Sequence, residues 1–240
     1  MDEPFQSRQN RLLDLLSPED FKLLEPHLQP VTLEYRMPLY EPDRPIPYVY
    51  FPLSGVGSLV NTMTDGSAAE VGTIGNEGMI GVPIVLEDTV TTTSVYVQVP
   101  GAGLRMPAGQ FREALNQSYS LRRIMLHYTH VLFNQVTQSA ACNTFHHLEA
   151  RCCRWLLMTH DRVQSEEFLL TQEFLGMMLG VRRSSVNLAA GDLKRKKLIR
   201  YSRGKVTVLD RPGLLKRACE CYAINRREFD RLLGQSPGLS

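Results

Sequence analysis

Residues 31–106 alternate between apolar and polar positions in short runs that Gly and Pro interrupt. Such runs cover 48–51, 57–60, 70–74 and 94–99, and Asp65-Gly66 between two of them is typical of a hairpin turn. Strict alternation is the pattern of a strand with one buried face. Many short strands with regular turns predict an antiparallel barrel or roll.

Helical spacing of apolar residues flanks this region on both sides. Residues 7–25 come first, with Ser17-Pro18 as N-cap and first-turn proline. The longest helical pattern covers 110–141, and a further helix over 146–162 follows a hinge at 143–145. The long helix either packs on its own domain or forms a dimer seam, with Gln135 and Gln138 fixing the register. We favour the seam and assign to it Leu121, Ile124, Tyr128, Val131 and Gln135.

Residues 171–209 predict a winged helix-turn-helix. Thr171 caps a short helix, Gly180 provides the turn, and a second helix covers about 182–197. Two short alternating runs, 198–201 and 206–209, predict a hairpin with its turn at 202–205. This order of elements places one helix in a major groove of DNA and a wing against the backbone. The fold class expected for the whole chain is α+β.

Positive charge is concentrated in this segment. Residues 167–211 hold ten Lys and Arg against four Asp and Glu, whereas the remaining chain holds 17 basic and 21 acidic residues. A basic module in a nearly neutral protein suits a polyanion, because each neutralised phosphate releases counterions.

The sequence resembles the Crp/Fnr family of bacterial transcription regulators. The resemblance rests on residues 170–173 and 175–176, Gly180, Arg183, 185–186, Leu193, and 198–199 and 204–205 of the wing. It implies a sensor-like β-roll with N-terminal helices (1–109), a long dimerisation helix with a hinge (110–145), a winged helix-turn-helix (146–215) and a helical tail (216–240). The implied partners are double-stranded DNA with a pseudo-palindromic site, a second copy of the chain, RNA polymerase and an unidentified small-molecule effector.

The resemblance also assigns roles to residues of the helix-turn-helix. Four side chains are expected to read base edges: Arg183, Ser184, Asn187 and Leu188. Six are expected to contact the DNA backbone: Thr171, Gln172, Arg182, Ser185, Arg203 and Lys205. Arg182 stands where family members usually have a Ser cap, and Ser184 and Leu188 replace base-reading Glu and Arg. The operator is therefore expected to differ from that of the best-known members.

The cyclic-nucleotide pocket of the family is degenerate in this chain. Gly81 is retained, but Val82 replaces the Glu that binds the ribose hydroxyl. Ser94 is retained, but Thr93 stands at the position of the Arg that neutralises the phosphate. Because an unpaired buried phosphate is costly, we expect no cyclic-nucleotide binding.

The cysteines leave open the alternative that the protein senses a metal or a redox signal. Five cysteines without framework spacing indicate reduced thiols in a cytoplasmic protein, and no membrane span or signal peptide is recognisable. Residues of metal-ligating types occur at 146–147, at 152–153 and in Cys219-x-Cys221. None of these groups has the ligand spacing of a zinc finger, so we expect no cofactor and no metal. Metal or redox sensing through cysteines stays the alternative. No nucleophile–base pair or phosphate loop supports an enzyme.

Overall fold

A computed structural model describes residues 9–163 and 165–233 of the chain. Two short helices come first, α1 (Arg11–Asp14) and α2 (Pro18–Leu24), followed by a 3-10 turn over Glu25–His27. Helix α2 begins as predicted, because the Ser17 hydroxyl accepts a hydrogen bond from the amide of Asp20 and Pro18 occupies the first turn.

Seven antiparallel strands and one short helix form the predicted roll. The strands are β1 (Gln29–Leu33), β2 (Pro38–Tyr40), β3 (Tyr48–Pro52), β4 (Val56–Thr62), β5 (Ala68–Ile74), β6 (Ser94–Val99) and β7 (Gly101–Pro107), and α3 (Val82–Val85) lies between β5 and β6. One sheet has the order β1-β7-β3 and the other β2-β6-β4-β5. The predicted hairpin joins β4 and β5, where Gly66 adopts a φ of 82° and Asp65 accepts from the Ser67 amide.

The long helical segment is two helices rather than one. α4 (Ala108–Gln117) ends at Ser118, and α5 (Tyr119–Phe145) begins there. Ser118 is extended and caps α5, and both Ser118 and Ser120 bond to the carboxylate of the buried Asp20 in α2. The prediction of one helix over 110–141 was therefore wrong at this point, because a tertiary hydrogen bond supplies a break that no Gly or Pro announces.

The described C-terminal residues, 146–163 and 165–233, contain five more helices and three strands. They are α6 (Leu148–His160), β8 (Glu167–Leu169), α7 (Gln172–Leu179), α8 (Arg183–Arg195), β9 (Ile199–Ser202), β10 (Lys205–Val208), α9 (Arg211–Leu215) and α10 (Cys221–Leu233). The hinge lies at His146 and His147, which are both extended, and not at the predicted 143–145, which still belong to α5.

Two large hydrophobic clusters organise the described residues. The larger one fills the roll and extends to α4, α5 and Phe229 of α10. The second lies between α6, α7, α8 and the wing strands, and it also takes in Val56 and Val99 of the roll. The C-terminal domain is therefore packed directly on the roll by shared apolar contacts.

Candidate nucleic-acid interface

The first helix of the helix-turn-helix is fixed at both ends by the residues predicted for those positions. The Thr171 hydroxyl accepts a hydrogen bond from the amide of Phe174 at 3.2 Å. Gly180 ends α7 with a φ of 59°, a left-handed conformation that favours glycine. The apolar faces of α7 and α8 are both buried, so packing fixes the angle between the two helices.

Helix α8 has one buried and one exposed face. Its buried stripe is the predicted one: Val186, Ala189, Ala190 and Leu193. Arg183, Ser184, Asn187 and Leu188 are exposed, and Leu188 keeps 72% of its surface. Most of the Leu188 side chain is therefore accessible from solvent, on the same face as Arg183, Ser184 and Asn187.

The wing is a sheet of three strands in the order β8-β10-β9, one more than predicted. Strand β8 pairs with β10, but its three residues are too short for an alternating pattern to be recognised in the sequence. The turn between β9 and β10 consists of Arg203 and Gly204, both with positive φ. It projects the exposed Arg203 beyond the sheet.

An open groove of about 340 Å³ separates the start of α8 from the wing. Its lining comes from the start of α7, the first residue of α8, the end of β9 and the wing turn: Thr171, Gln172, Glu173, Arg183, Tyr201, Ser202, Arg203 and Gly204. The Nε atom of Arg183 donates to Oε1 of Gln172 at 3.2 Å, which joins a predicted base-reading side chain to a predicted backbone contact. The groove holds two guanidinium groups and several hydroxyl and amide groups, which are the donors that phosphate oxygens accept from.

Ion pairs neutralise part of the basic charge and leave the rest at the surface. Lys205 bonds to Glu167 at 2.8 Å, a contact that holds the pKa of this exposed Glu below its usual value, and Lys196 bonds to Glu149 at 2.7 Å. Within the described residues, Arg182, Arg183 and Arg203 form no ion pair. Unpaired positive charges thus include those at the N-terminal end of α8 and at the tip of the wing.

Helix α7 rests on the β2-β6-β4-β5 sheet of the roll. Phe174 stacks edge-to-face on Tyr96, with ring centroids 5.9 Å apart. The Tyr96 hydroxyl donates to the sulfur of Met177 at 2.9 Å. The Nη2 atom of Arg36 lies 3.5 Å from Oε2 of Glu173. The helix-turn-helix and this sheet of the roll are therefore in direct contact.

A buried polar network, which the sequence analysis missed, joins the two domains. Arg162, two residues after α6, donates to Oε1 of Glu77 at 2.7 and 2.9 Å and to the Thr73 hydroxyl at 2.8 Å. Trp155 of α6 donates to Glu70 of β5 at 3.0 Å, and the hydroxyl of Ser58 donates to the other oxygen of Glu70. These partners are separated by up to 89 residues in sequence, so local patterns carry no sign of them.

The two carboxyl groups of this network have opposite pKa shifts. Burial raises the pKa of Glu70 to about 7, since its hydrogen-bond donors, Ser58 and Trp155, are uncharged. Burial also disfavours the charged form of Glu77, but the charge and hydrogen bonds of Arg162 outweigh this and lower the pKa of Glu77. The junction thus contains one ion pair and one carboxyl group that titrates near neutral pH.

The residues predicted for a dimer seam lie inside the chain. Leu121, Tyr128, Val131 and Gln135 are buried, and Ile124 is half-buried against the same core. Tyr128 donates to the carbonyl of Met79, and Gln135 donates to that of Thr73. The alternative interpretation, a helix packed on its own domain, is correct for this face of α5.

The residues of the degenerate effector pocket lie at two places on the roll. Gly81 and Val82 are the N-cap and the first residue of α3. Thr93 precedes β6, where its hydroxyl lies 3.1 Å from that of Thr91, and Ser94 begins the strand. No cationic side chain belongs to this set, and the absence of cyclic-nucleotide binding stays a prediction.

The cysteines separate into two groups. Cys152 and Cys153 are buried in α6, as expected for ordinary thiols. Cys219 and Cys221, in contrast, are joined by Cys142 and His146 from the end of α5, and the ligand atoms of these four residues lie within 4.8 Å of one another. The Cys142-x3-His146 spacing, with His146 directly after the last residue of α5, is the local signal in the sequence that could have indicated this cluster.

None of the described helices combines the length and apolar content needed to cross a bilayer. The search of curated protein sequences found no match. Residues 150–217 match the sequence model of the Crp-like helix-turn-helix domain.

Solved structures are similar over most of the chain. A protein described as a transcriptional regulator of the Crp/Fnr family from Eubacterium rectale has 15% identity and a TM-score of 0.69, with 88% of this chain and 99% of that chain covered. A Crp-family transcriptional regulator from Thermus thermophilus has 17% identity and a TM-score of 0.67, with 78% and 96% covered. FixK2 from Bradyrhizobium japonicum has 12% identity and a TM-score of 0.66, with 80% and 98% covered. The chain thus contains a Crp-like helix-turn-helix domain within the fold of the Crp/Fnr transcription regulators.

Proposed function

We propose that the protein is a sequence-specific, DNA-binding transcription regulator that acts as a homodimer on a pseudo-palindromic site. The observation that supports this best is the exposed polar face of α8, which lies beside a basic wing and has unpaired arginines at its N-terminal end. An α-helix fits the major groove, and the wing then reaches the neighbouring phosphates.

The roles of the side chains follow from their positions. Arg183 can pair with the O6 and N7 atoms of guanine, and the exposed Leu188 can contact a thymine methyl group. Ser184 and Asn187 lie on the same face and complete the reading surface. The backbone contacts are assigned to Thr171, Gln172, Arg182, Ser185, Arg203 and Lys205.

The dimer is proposed to form through the outer face of α5, defined here as Leu126, His130, Phe133, Thr137, Ala140 and Thr144. All six are exposed, and Leu126 and Phe133 keep 43% and 62% of their surface. Their steps of four and three residues are those of a coiled-coil seam. Two chains joined along this face would present two recognition helices about 34 Å apart, one turn of DNA.

Regulation is proposed to act through the contact between the roll and α7. An effector other than a cyclic nucleotide would bind the roll, bias the hinge at His146 and His147, and reset the separation of the recognition helices. It can do so only if it binds one arrangement more tightly than the other. RNA polymerase would be the downstream partner. The cluster of Cys142, His146, Cys219 and Cys221 favours a second candidate, the same DNA-binding role with a metal or redox input.

A selection from random duplex oligonucleotides, combined with sedimentation analysis, tests the proposal. We expect a dimer in solution and an enriched inverted repeat with half-sites one turn apart. Affinity for that repeat should fall steeply with salt, by about 10³-fold or more between 50 and 200 mM if at least six phosphates are contacted. A monomer that enriches no repeat would refute the proposal.

A further inference from the structure

We propose that Cys142, His146, Cys219 and Cys221 form a tetrahedral binding site for Zn²⁺ or a similar thiophilic divalent cation. The site lies at the end of α5 and the start of α10, away from the proposed DNA-binding face. The proposal deepens the second candidate function, and its test by metal analysis does not depend on DNA binding. Three thiolates and one imidazole are a common ligand set of structural zinc sites.

The distances between the ligand atoms suit a single ion. The sulfurs of Cys142 and Cys219 are 3.5 Å apart, and the sulfur of Cys221 lies 3.5 Å from Nδ1 of His146. All the ligand atoms lie within 4.8 Å of one another. Tetrahedral bonds of about 2.3 Å separate neighbouring sulfurs by about 3.8 Å. An iron–sulfur cluster contains several metal ions and needs its ligands further apart.

The imidazole of His146 is oriented for coordination. Its Nδ1 faces Cys221, and its Nε2 lies 3.1 Å from the carboxylate of Glu220. A carboxylate that accepts from the outer nitrogen of a histidine fixes the tautomer in which the inner nitrogen is free to bind a metal. The side-chain amide of Gln138 donates to the sulfur of Cys221 at 3.1 Å, a contact that favours the thiolate.

Burial and charge also suit a metal–thiolate site. The three cysteines are buried in a small cluster of their own, separate from both large cores. Two buried arginines, Arg151 and Arg154, have no carboxylate at ion-pair distance in the part of the chain that the structure describes. Binding releases three thiol protons to solvent, so a divalent ion with three thiolates carries one negative charge, which the nearby guanidinium groups offset.

The proposed ion would tie the C-terminal segment to the hinge. Cys142 and His146 belong to the end of α5 and its C-cap, and Cys219 and Cys221 belong to the turn that leads into α10. Its removal would loosen α10 from α5 immediately beside the point where the DNA-binding domain begins.

The test is metal analysis of the full-length protein purified without chelator under reducing conditions, followed by Co²⁺ titration of the metal-free protein. We expect about one zinc ion per chain and, with Co²⁺, the visible bands of a tetrahedral site together with thiolate charge-transfer bands. The unmodified protein decides the question even if variants fold poorly. No thiolate charge-transfer band with reduced protein, or a Cys142–Cys219 disulfide without metal, would overturn the proposal.

Variants locate the site. Cys221→Ala should lose the zinc, whereas Cys152→Ala, which removes a buried cysteine outside the cluster, should keep it. His146→Cys retains four ligands and should still bind. Glu220→Gln should weaken binding by about tenfold or more, since it acts only through His146. Equal zinc content in Cys221→Ala and Cys152→Ala would contradict the assignment.

Discussion

Glu70 and Glu77 show how single hydrogen-bond partners decide the charge state of a buried residue. Both lie at the junction between the roll and the helix-turn-helix domain, and both are almost fully buried. Arg162 forms an ion pair with Glu77 and keeps it charged, whereas Ser58 and Trp155 offer Glu70 only neutral donors. Because the pKa of Glu70 is about 7, its protonation changes in the range in which cells operate.

The replacement Glu70→Gln should change the pH dependence of stability. The pKa of this carboxyl rises from 4.5 to about 7 on folding, so the folded chain binds the proton more tightly. The contribution of Glu70 to stability therefore falls as pH rises through this range, by roughly 3 kcal/mol in all. Urea unfolding at a series of pH values should show Glu70→Gln becoming more stable than the original chain above neutral pH. An unchanged difference between the two proteins from pH 5 to 8 would contradict this.

Arg183→Ala should reduce discrimination at one base position. Arg183 is exposed at the first position of α8 and held by Gln172, a geometry suited to a guanine in the major groove. We expect a loss of about 1–3 kcal/mol on the selected operator and a much smaller loss on random DNA. Arg195→Ala is the control, because Arg195 is exposed at the other end of α8 and bonded to Asp192. Equal losses on both DNAs in titrations of Arg183→Ala would argue against base reading.

At the scale of elements, helix α5 explains what the sequence could and could not predict. Its apolar stripe was visible, and so were the strands of the roll and the helix-turn-helix, because these depend on local periodicity and turn residues. An apolar stripe alone does not show whether the helix packs on its own chain or on a second copy. Here the stripe packs on the roll, to which Tyr128 and Gln135 donate hydrogen bonds. The break at Ser118 and the cysteine cluster depend on residues distant in sequence, so local patterns could not predict them.

The outer face of α5 predicts the effect of a charge on dimerisation. Phe133→Glu places a carboxylate in the centre of the proposed seam, where the two-fold axis would bring it close to the same carboxylate of the second chain. Because the two negative charges repel each other, the dissociation constant of the dimer should rise by at least about tenfold. Sedimentation equilibrium measures this. Leu86→Glu, at an exposed apolar residue outside α5, is the matched control and should leave the dimer unchanged. If Phe133→Glu remains as dimeric as the control, the seam lies elsewhere.

At the scale of the whole molecule, Arg162 and Glu77 link the two domains by an ion pair, the most deeply buried one among the described residues. Removing either partner leaves an uncompensated buried charge, whereas removing both leaves none. A buried pair of this kind disfavours arrangements that separate its two members, so we propose that it helps to specify how the helix-turn-helix domain packs on the roll.

A double-mutant cycle on this pair tests the idea. Arg162→Gln and Glu77→Gln should each destabilise the protein by about 3–5 kcal/mol, and the double variant should lose clearly less than the sum of the two. Urea unfolding gives these values, and limited proteolysis at the hinge around His146 and His147 reports whether the domains separate before they unfold. We expect faster hinge cleavage in each single variant, because the unpaired charge is relieved when the junction opens to water. Additive losses with unchanged cleavage would mean that the two side chains contribute independently and that the other contacts between the domains hold the junction.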